Sequence, residues 1–276
     1  MGITKTPAGL YGLTLTSGAA NVKGAYFQLT ASTPEAVKIV NYTAGPANSA
    51  RRWLTDIATG AGGAEVVVIA NIYNSNAGDN DQPTMFVDIP ISIASSTRIA
   101  ARTQNAGGVF TMDVSLVLVG GTITCTTETY GADTANSDGT AVDAGAVANT
   151  KGLYAQLTAS TGITVEFLNI LVGLGANTLP VRANFALDIA TGAGGAETVV
   201  VPDLFFTTDL GDNVMPPGWG FPLSIASGTR IAARIASQTT DATDRVIKVE
   251  VIGSTSTGFA PAGGGETSHV FVGGAI

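Results

Sequence analysis

The stretch that decides the fold is an eleven-residue block, Ser92-Ile-Ala-Ser-Ser-Thr-Arg-Ile-Ala-Ala-Arg102. It returns as Ser224-Ile-Ala-Ser-Gly-Thr-Arg-Ile-Ala-Ala-Arg234, with one substitution and an offset of 132 residues (224 − 92). A second block, Asp56–Glu65, returns unchanged as Asp188–Glu197 at the same offset. Repetition at this spacing indicates that one structural module occurs twice in the chain.

A third block supports the same conclusion. Asn21–Thr33 matches Asn149–Thr161 at ten of thirteen positions, with an offset of 128 residues (149 − 21). The three blocks keep their order, so the chain of 276 residues is a tandem duplication. Each copy is large enough to bury a core of its own.

The pattern within each copy is typical of β-strands. About eight short segments alternate apolar with polar residues, as in Gly24–Thr33 and Val109–Val119, and glycine-rich turns such as Thr59–Gly63 separate them. Eight strands is the number found in a jelly roll. We therefore predict an all-β fold of two tandem jelly-roll-like β-sandwich modules that arose by internal duplication.

The composition changes at the ends of these modules, which gives the expected domain boundaries. The C-terminal segment is rich in glycine, serine and threonine and ends in apolar residues, so it either docks on a neighbouring subunit or frays. The expected segments are an N-terminal arm (1–8), a first module (9–120), a linker with room for an extra strand (121–147), a second module (148–253) and a C-terminal tail (254–276).

Charge and hydropathy limit the partners. The net charge is −8 with only 13 basic residues and no basic cluster, so we expect no nucleic-acid partner. No apolar run reaches the roughly 18 residues that span a bilayer, and no secretion signal is visible at the N-terminus, so we expect no membrane partner. Charged residues are 12% of the chain, and such a sparsely charged surface favours extensive contact with other subunits.

Ionisable residues that recur in both copies form the first group of candidate site residues. One hypothesis is a carboxylate pair acting as acid and base, as in glycosidases. The alternative, which we favour, is a structural network in which the carboxylates cap the glycine turn and pair with arginines across strands. The residues are Asp56, Glu65, Arg98 and Arg102 in the first copy and Asp188, Glu197, Arg230 and Arg234 in the second.

Other catalytic and metal-binding arrangements lack the necessary residues. His269 is the only histidine and Cys125 the only cysteine, so a Ser-His-Asp triad or a Cys-His pair has a single histidine to use. A histidine-based zinc site has too few ligands. We therefore expect a protein that is not an enzyme, with no catalytic residues, no metal and no cofactor.

The two long loops, 74–83 and 207–220, carry the candidate interface residues. Asp79, Asp81 and Asp212 either bind Ca²⁺ or form solvated turns, and the sequence lacks a complete calcium loop around them. Trp219 follows the Pro-Pro-Gly of one loop and has no counterpart in the first copy, so it is either an interface anchor or a platform that stacks on sugar. Met215 lies in the same loop.

The duplicated motifs resemble those of structural proteins from tailed bacteriophages. The pattern Asp-Ile-x-Thr-Gly-x-Gly-Gly-x-Glu, followed by Pro-x-x-Ile-x-x-Gly-Thr-Arg-Ile-Ala-Ala-Arg, occurs as Asp56–Glu65 with Pro90–Arg102 and as Asp188–Glu197 with Pro222–Arg234. The first copy departs from it with Ser96 in place of glycine. The resemblance implies a non-enzymatic component of the virion.

We accordingly expect a capsid decoration (cement) protein that bridges neighbouring subunits and stabilises the shell. Its partners would be the major capsid protein or other virion subunits, and it would form homo-oligomers, with a trimer as the leading expectation. The alternative is a tail-fibre or receptor-binding subunit that binds host glycans, and a glycosidase is a more distant one.

Overall fold

The described part of the chain is built from β-strands alone, so the predicted all-β class is confirmed. The computed structural model describes residues 2–7, 12–48, 51–76, 85–174, 183–208 and 218–257.

Nine strands form the first sandwich. They are β1 (Ile3–Thr6), β2 (Leu13–Thr16), β3 (Phe27–Thr30), β4 (Val37–Ala47), β5 (Arg51–Thr59), β6 (Val66–Asn76), β7 (Met85–Ile93), β8 (Ile99–Asn105) and β9 (Thr111–Gly120).

Ten strands form the second sandwich. They are β10 (Thr127–Tyr130), β11 (Ala132–Asp133), β12 (Asp138–Asp143), β13 (Ala155–Thr158), β14 (Val165–Leu174), β15 (Ala183–Thr191), β16 (Thr198–Thr208), β17 (Trp219–Ile225), β18 (Ile231–Ser237) and β19 (Val246–Ser254).

The strand order is that of a jelly roll. One sheet of the first sandwich runs β1–β9–β4–β7 and the other β3–β8–β5–β6, and all pairings are antiparallel. Strands β1 and β2 pair with successive parts of β9 and together fill one position. Each sheet therefore has four positions, and the chain crosses between the sheets at every step from β2 to β9 except β5 to β6, as in a jelly roll.

The second sandwich repeats this order, which confirms the predicted pair of jelly-roll-like modules. Its sheets run β12–β19–β14–β17 and β13–β18–β15–β16, and β10 pairs with β19 as β1 pairs with β9. The structure differs from the expected boundaries in two places. The expected arm contains β1, and the expected linker contains β10 to β12, because both segments supply the first strand position of a sandwich.

Alternation of side chains places the cores between the sheets. In β9, Val114, Leu116 and Leu118 are buried in the first core, which also holds Trp53. In β19, Val249 and Val251 are buried in the second core. Burying side chains of this size stabilises the fold by about 1.5–3 kcal/mol each, so the period-two pattern is sufficient to hold the two sheets together.

Backbone conformations at the turns are duplicated along with the sequence. Ser96 has a φ of 58° and its counterpart Gly228 a φ of 83°, so serine adopts the left-handed conformation that glycine adopts in the other copy. Asn71 (φ 55°) and Asp203 (φ 47°) are a second such pair. The departure of the first copy from the glycine pattern thus leaves the turn unchanged and stores strain in it.

Candidate functional sites: a duplicated ionic network and the joint between the sandwiches

The duplicated carboxylates lie in ionic networks on the outer side of the sheets. Asp56 Oδ2 accepts a hydrogen bond from Arg102 Nε at 2.9 Å, and Asp56 Oδ1 accepts one from Lys23 Nζ at 2.8 Å. The backbone N–H of Asn71 adds a third at 2.9 Å. Because Asp56 is buried, each of these donors offsets part of the free energy lost on removing its charge from water.

The second sandwich reproduces the arrangement. Asp188 Oδ2 accepts a bond from Arg234 Nε at 2.9 Å, and Oδ1 accepts bonds from Lys151 Nζ at 2.6 Å and from the Asp203 backbone at 2.9 Å. Burial raises the pKa of Asp188, but these hydrogen bonds outweigh it and leave the pKa below its usual value. The group is therefore an anion at neutral pH.

Glu65 and Glu197 close the glycine turns. Arg98 Nη1 donates to Glu65 Oε1 at 3.0 Å, while the backbone N–H of Gly63 donates to Oε2 at 2.9 Å. Arg230, Glu197 and Gly195 repeat the same bonds at 3.0 and 2.9 Å.

Despite some desolvation, backbone and arginine hydrogen bonds hold the pKa of both glutamates below its ordinary value. A glycosidase needs a general acid with a raised pKa. The bonds made by Glu65 and Glu197 instead hold the strands and the glycine turns in place.

Sequence reasoning missed three further pairs in this network. The guanidinium of Arg102 stacks 4.6 Å above the ring of Tyr26, and Arg234 stacks likewise on Tyr154. The other missed residues are the two lysines above and the glutamines that accept bonds from Arg98 and Arg230. All belong to the third duplicated block, so recurrence in that block was the signal that could have found them: Lys23, Tyr26 and Gln28 with Lys151, Tyr154 and Gln156.

A second candidate site is the joint between the two sandwiches. Strands β6 and β7, which we call the first edge, pack on the outer surface of the sheet formed by β10, β12, β19, β14 and β17, which we call the second face. Leu171 and Ile252 of that face join the core cluster of the first sandwich. The ring of Tyr73 lies on Gly173, where a Cβ atom would be only 2.4 Å from it. The two sandwiches therefore share apolar packing.

Side chains of the second sandwich satisfy backbone carbonyls along the first edge. Thr127 and Thr129 donate to the carbonyls of Val68 and Ala70 at 2.7 and 2.6 Å. Further along, Asn169 Nδ2 donates to the Asp88 carbonyl at 3.0 Å. An exposed sheet edge is a template for aggregation, and here hydroxyls and an amide cover it.

Two buried carboxyl groups lie in this joint. Glu250 is 0% exposed, and its Oε1 accepts a bond from the Tyr73 backbone at 3.0 Å, while its Oε2 has no hydrogen-bond partner. Burial raises the pKa of Glu250 well above its usual value, although the Tyr73 bond and the charge of Lys23 oppose this. Burial also raises the pKa of Asp138, against its bond from Lys248.

The residues expected at the interface lie as follows. Trp219 begins β17, and its half-buried ring packs on the core of the second sandwich, 5.9 Å from the ring of Phe206. It is therefore a strand residue and not part of a free loop. Asp79, Asp81, Asp212 and Met215 lie outside the described residues.

Within the described ranges, no group of three or more His, Cys, Asp or Glu side chains is placed to hold a metal ion. The same part of the chain contains no helix long and apolar enough to cross a membrane.

Comparison with known proteins gives similarity at the level of structure only. No protein-family model and no curated protein sequence matches the chain. Among solved structures, it is similar to the STIV MCP, a viral major capsid protein, with 7% identity and a TM-score of 0.38 over 92% of this chain and 96% of that one.

Two solved structures of tandem modules are also similar to this chain. The CBM22-1-CBM22-2 tandem domain of Xyn10C from Paenibacillus barcinonensis is 12% identical, with a TM-score of 0.28 over 92% of this chain and 91% of that one. The tandem CBM51 modules of Sp3GH98, a family 98 glycoside hydrolase from Streptococcus pneumoniae, are 11% identical, with a TM-score of 0.22 over 91% and 99%.

Proposed function

We propose that this chain is a structural protein of a virus particle, most specifically a decoration (cement) protein that binds neighbouring subunits and stabilises the shell. The observation that carries the proposal is the joint between the sandwiches. There, a sheet face binds an edge through apolar packing and through side-chain bonds to backbone carbonyls. The fold thus adheres to another sandwich through its surfaces.

Two further observations support this role. The duplicated charged residues in the described networks form ion pairs that hold strands and turns in place, which is a structural role. The sequence motifs resemble those of tailed-phage virion proteins, which favours a particle as the place of action. Two linked sandwiches can contact two adjacent subunits, and the second contact then benefits from a raised effective concentration.

The test uses particles of the virus that encodes the chain, stripped of their accessory proteins. Purified chain should bind the expanded shells to saturation and raise their melting temperature, because a ligand that binds only the assembled state stabilises it. No binding, or binding without a change in shell stability, would contradict the decoration role. Binding to host glycans that is lost in a Trp219→Ala variant would assign the receptor-binding role instead. Assembly of the purified chain into closed shells by itself would assign a shell-forming role and overturn the decoration role.

A further inference from the structure

The second sandwich carries its own copy of the first edge. An offset of 132 residues relates β6 to β16, as the pairings Thr55 with Ile72 and Leu187 with Leu204 show (55 + 132 = 187; 72 + 132 = 204). The same offset relates β7 to β17, since Pro90 and Pro222 pair with corresponding positions of β4 and β14 (90 + 132 = 222). We call β16 with β17 the second edge. Because the two edges have the same place in the same fold, their exposure can be compared position by position.

The two edges differ in exposure although they match in position. Tyr73 on the first edge is 1% exposed, whereas its counterpart Phe205 (73 + 132) is 64% exposed. Pro90 is buried, and its carbonyl accepts bonds from Cys125 Sγ at 3.3 Å and Ser254 Oγ at 3.2 Å in the second sandwich, whereas its counterpart Pro222 is exposed. The second edge therefore exposes apolar side chains at positions that the first edge buries in the joint.

The first sandwich carries the matching copy of the second face. We call the outer surface of the sheet formed by β1, β2, β9, β4 and β7 the first face. Gly173, which receives Tyr73, has Gly45 as its counterpart (173 − 128). A Cβ at Gly45 would meet nothing closer than Asp113 at 3.7 Å, and Gly45 is not among the glycines of positive φ. Neither the packing around Gly45 nor its backbone conformation therefore requires a glycine at this position. An aromatic ring packed directly on it would require one.

Other positions of the first face also suit this partner. Asn169, which donates to the Asp88 carbonyl, has Asn41 as its counterpart (169 − 128), and the amide is preserved. Ile3 is 74% exposed and Phe86 51% exposed on the same face.

We propose that the second edge of one copy docks on the first face of another copy and repeats between chains the joint seen within the chain. Phe205 would lie on Gly45 of the next copy, and Asn41 would donate to the carbonyl of Gly220 (88 + 132). A contact between two different surfaces is heterologous, so it closes into a ring or grows into a filament.

The first experiment measures self-association of the purified full-length chain by sedimentation over a wide range of concentration. The native chain should form a ring or a filament. A Phe205→Asp variant should associate about 30-fold more weakly or worse, the effect of losing a buried aromatic anchor. The matched control is Leu153→Asp, which removes an exposed leucine next to β13, at the opposite border of the same sheet. Circular dichroism checks that both variants fold.

The second experiment tests the head-to-tail geometry. Phe205→Asp disables the edge but keeps the face, and Gly45→Glu disables the face but keeps the edge. Neither variant should associate alone, whereas their equimolar mixture should give a one-to-one complex with a single intact junction. A monomeric native chain, equal loss of association in Leu153→Asp, or a mixture that stays monomeric would overturn the proposal. Since no particle is present, these outcomes are independent of the decoration role.

Discussion

The buried carboxyl group of Glu250 should make the joint between the sandwiches sensitive to pH. The test replaces it with the amide of the same shape, Glu250→Gln, which keeps an oxygen for the Tyr73 backbone N–H. A carboxyl group whose pKa is raised by folding favours the folded state below its unfolded pKa of about 4.3. That contribution is lost as pH rises toward the folded pKa of Glu250. In this range the unfolded chain releases the proton while the folded chain keeps it, so rising pH favours the unfolded state.

The slope of this effect follows from linkage. Between the unfolded and folded pKa of Glu250, the native chain loses about 1.4 kcal/mol of unfolding free energy per pH unit relative to the amide variant. At about 2–4 °C per kcal/mol for a protein of this size, the melting temperatures should diverge by about 3–6 °C per pH unit. The variant should be the more stable protein at pH 7 and match the native chain near pH 4.

Thermal unfolding followed by circular dichroism from pH 4 to pH 8 is the assay, with Asp188→Asn as a control of opposite sign. The pKa of Asp188 is lowered by folding, so its stabilising effect is present above about pH 4 and is lost as pH falls. Asp188→Asn should therefore be less stable than the native chain at pH 7. If the melting temperatures of the native chain and of Glu250→Gln differ by a constant amount from pH 4 to pH 8, the assignment of a raised pKa is refuted.

Four further substitutions probe other parts of the structure. Asp56→Ala should lower the unfolding free energy in urea by about 3 kcal/mol, because it leaves a half-buried lysine and an arginine without their buried anion, and an effect below 1 kcal/mol would contradict the network. Ser96→Gly should stabilise by about 0.5–1 kcal/mol by relieving a positive φ, and Gly228→Ser should destabilise by a similar amount. Gly173→Val should displace Tyr73 and make the segment between the sandwiches a site of proteolysis, which an unchanged digestion pattern would disprove.

The duplication made the fold predictable. Because the repeated blocks fix which strands correspond, eight strand positions found in one copy apply to the other. The alternation of Val114, Leu116 and Leu118 fixes which side of β9 is buried. The boundaries were harder to predict, because β1 and β10 are short strands whose pairing partners lie more than a hundred residues away.

The sequence predicts a candidate site only where the charge of a residue indicates its partner. Arginine and carboxylate at matched positions indicate ion pairs, and the pairs lie where that spacing places them. The joint gave no such signal, because Tyr73 and Gly173 look like ordinary strand residues until the two sandwiches are brought together. The proline and glycine before Trp219 predict a loop, yet this residue begins a strand and its ring packs on the second core.

The joint within the chain and the proposed joint between chains should respond differently to pH. The position of Glu250 on the second face is occupied by Ser115 on the first face (250 − 135, the offset that relates β19 to β9). A serine does not titrate, so docking of a second copy there buries no equivalent carboxyl group. Self-association at pH 5 and pH 7.5 should therefore change by less than about threefold, within 0.7 kcal/mol, while thermal stability shifts as described above. A loss of association that follows the loss of stability would mean that the two joints are not chemically distinct, or that opening of the inner joint controls the outer one.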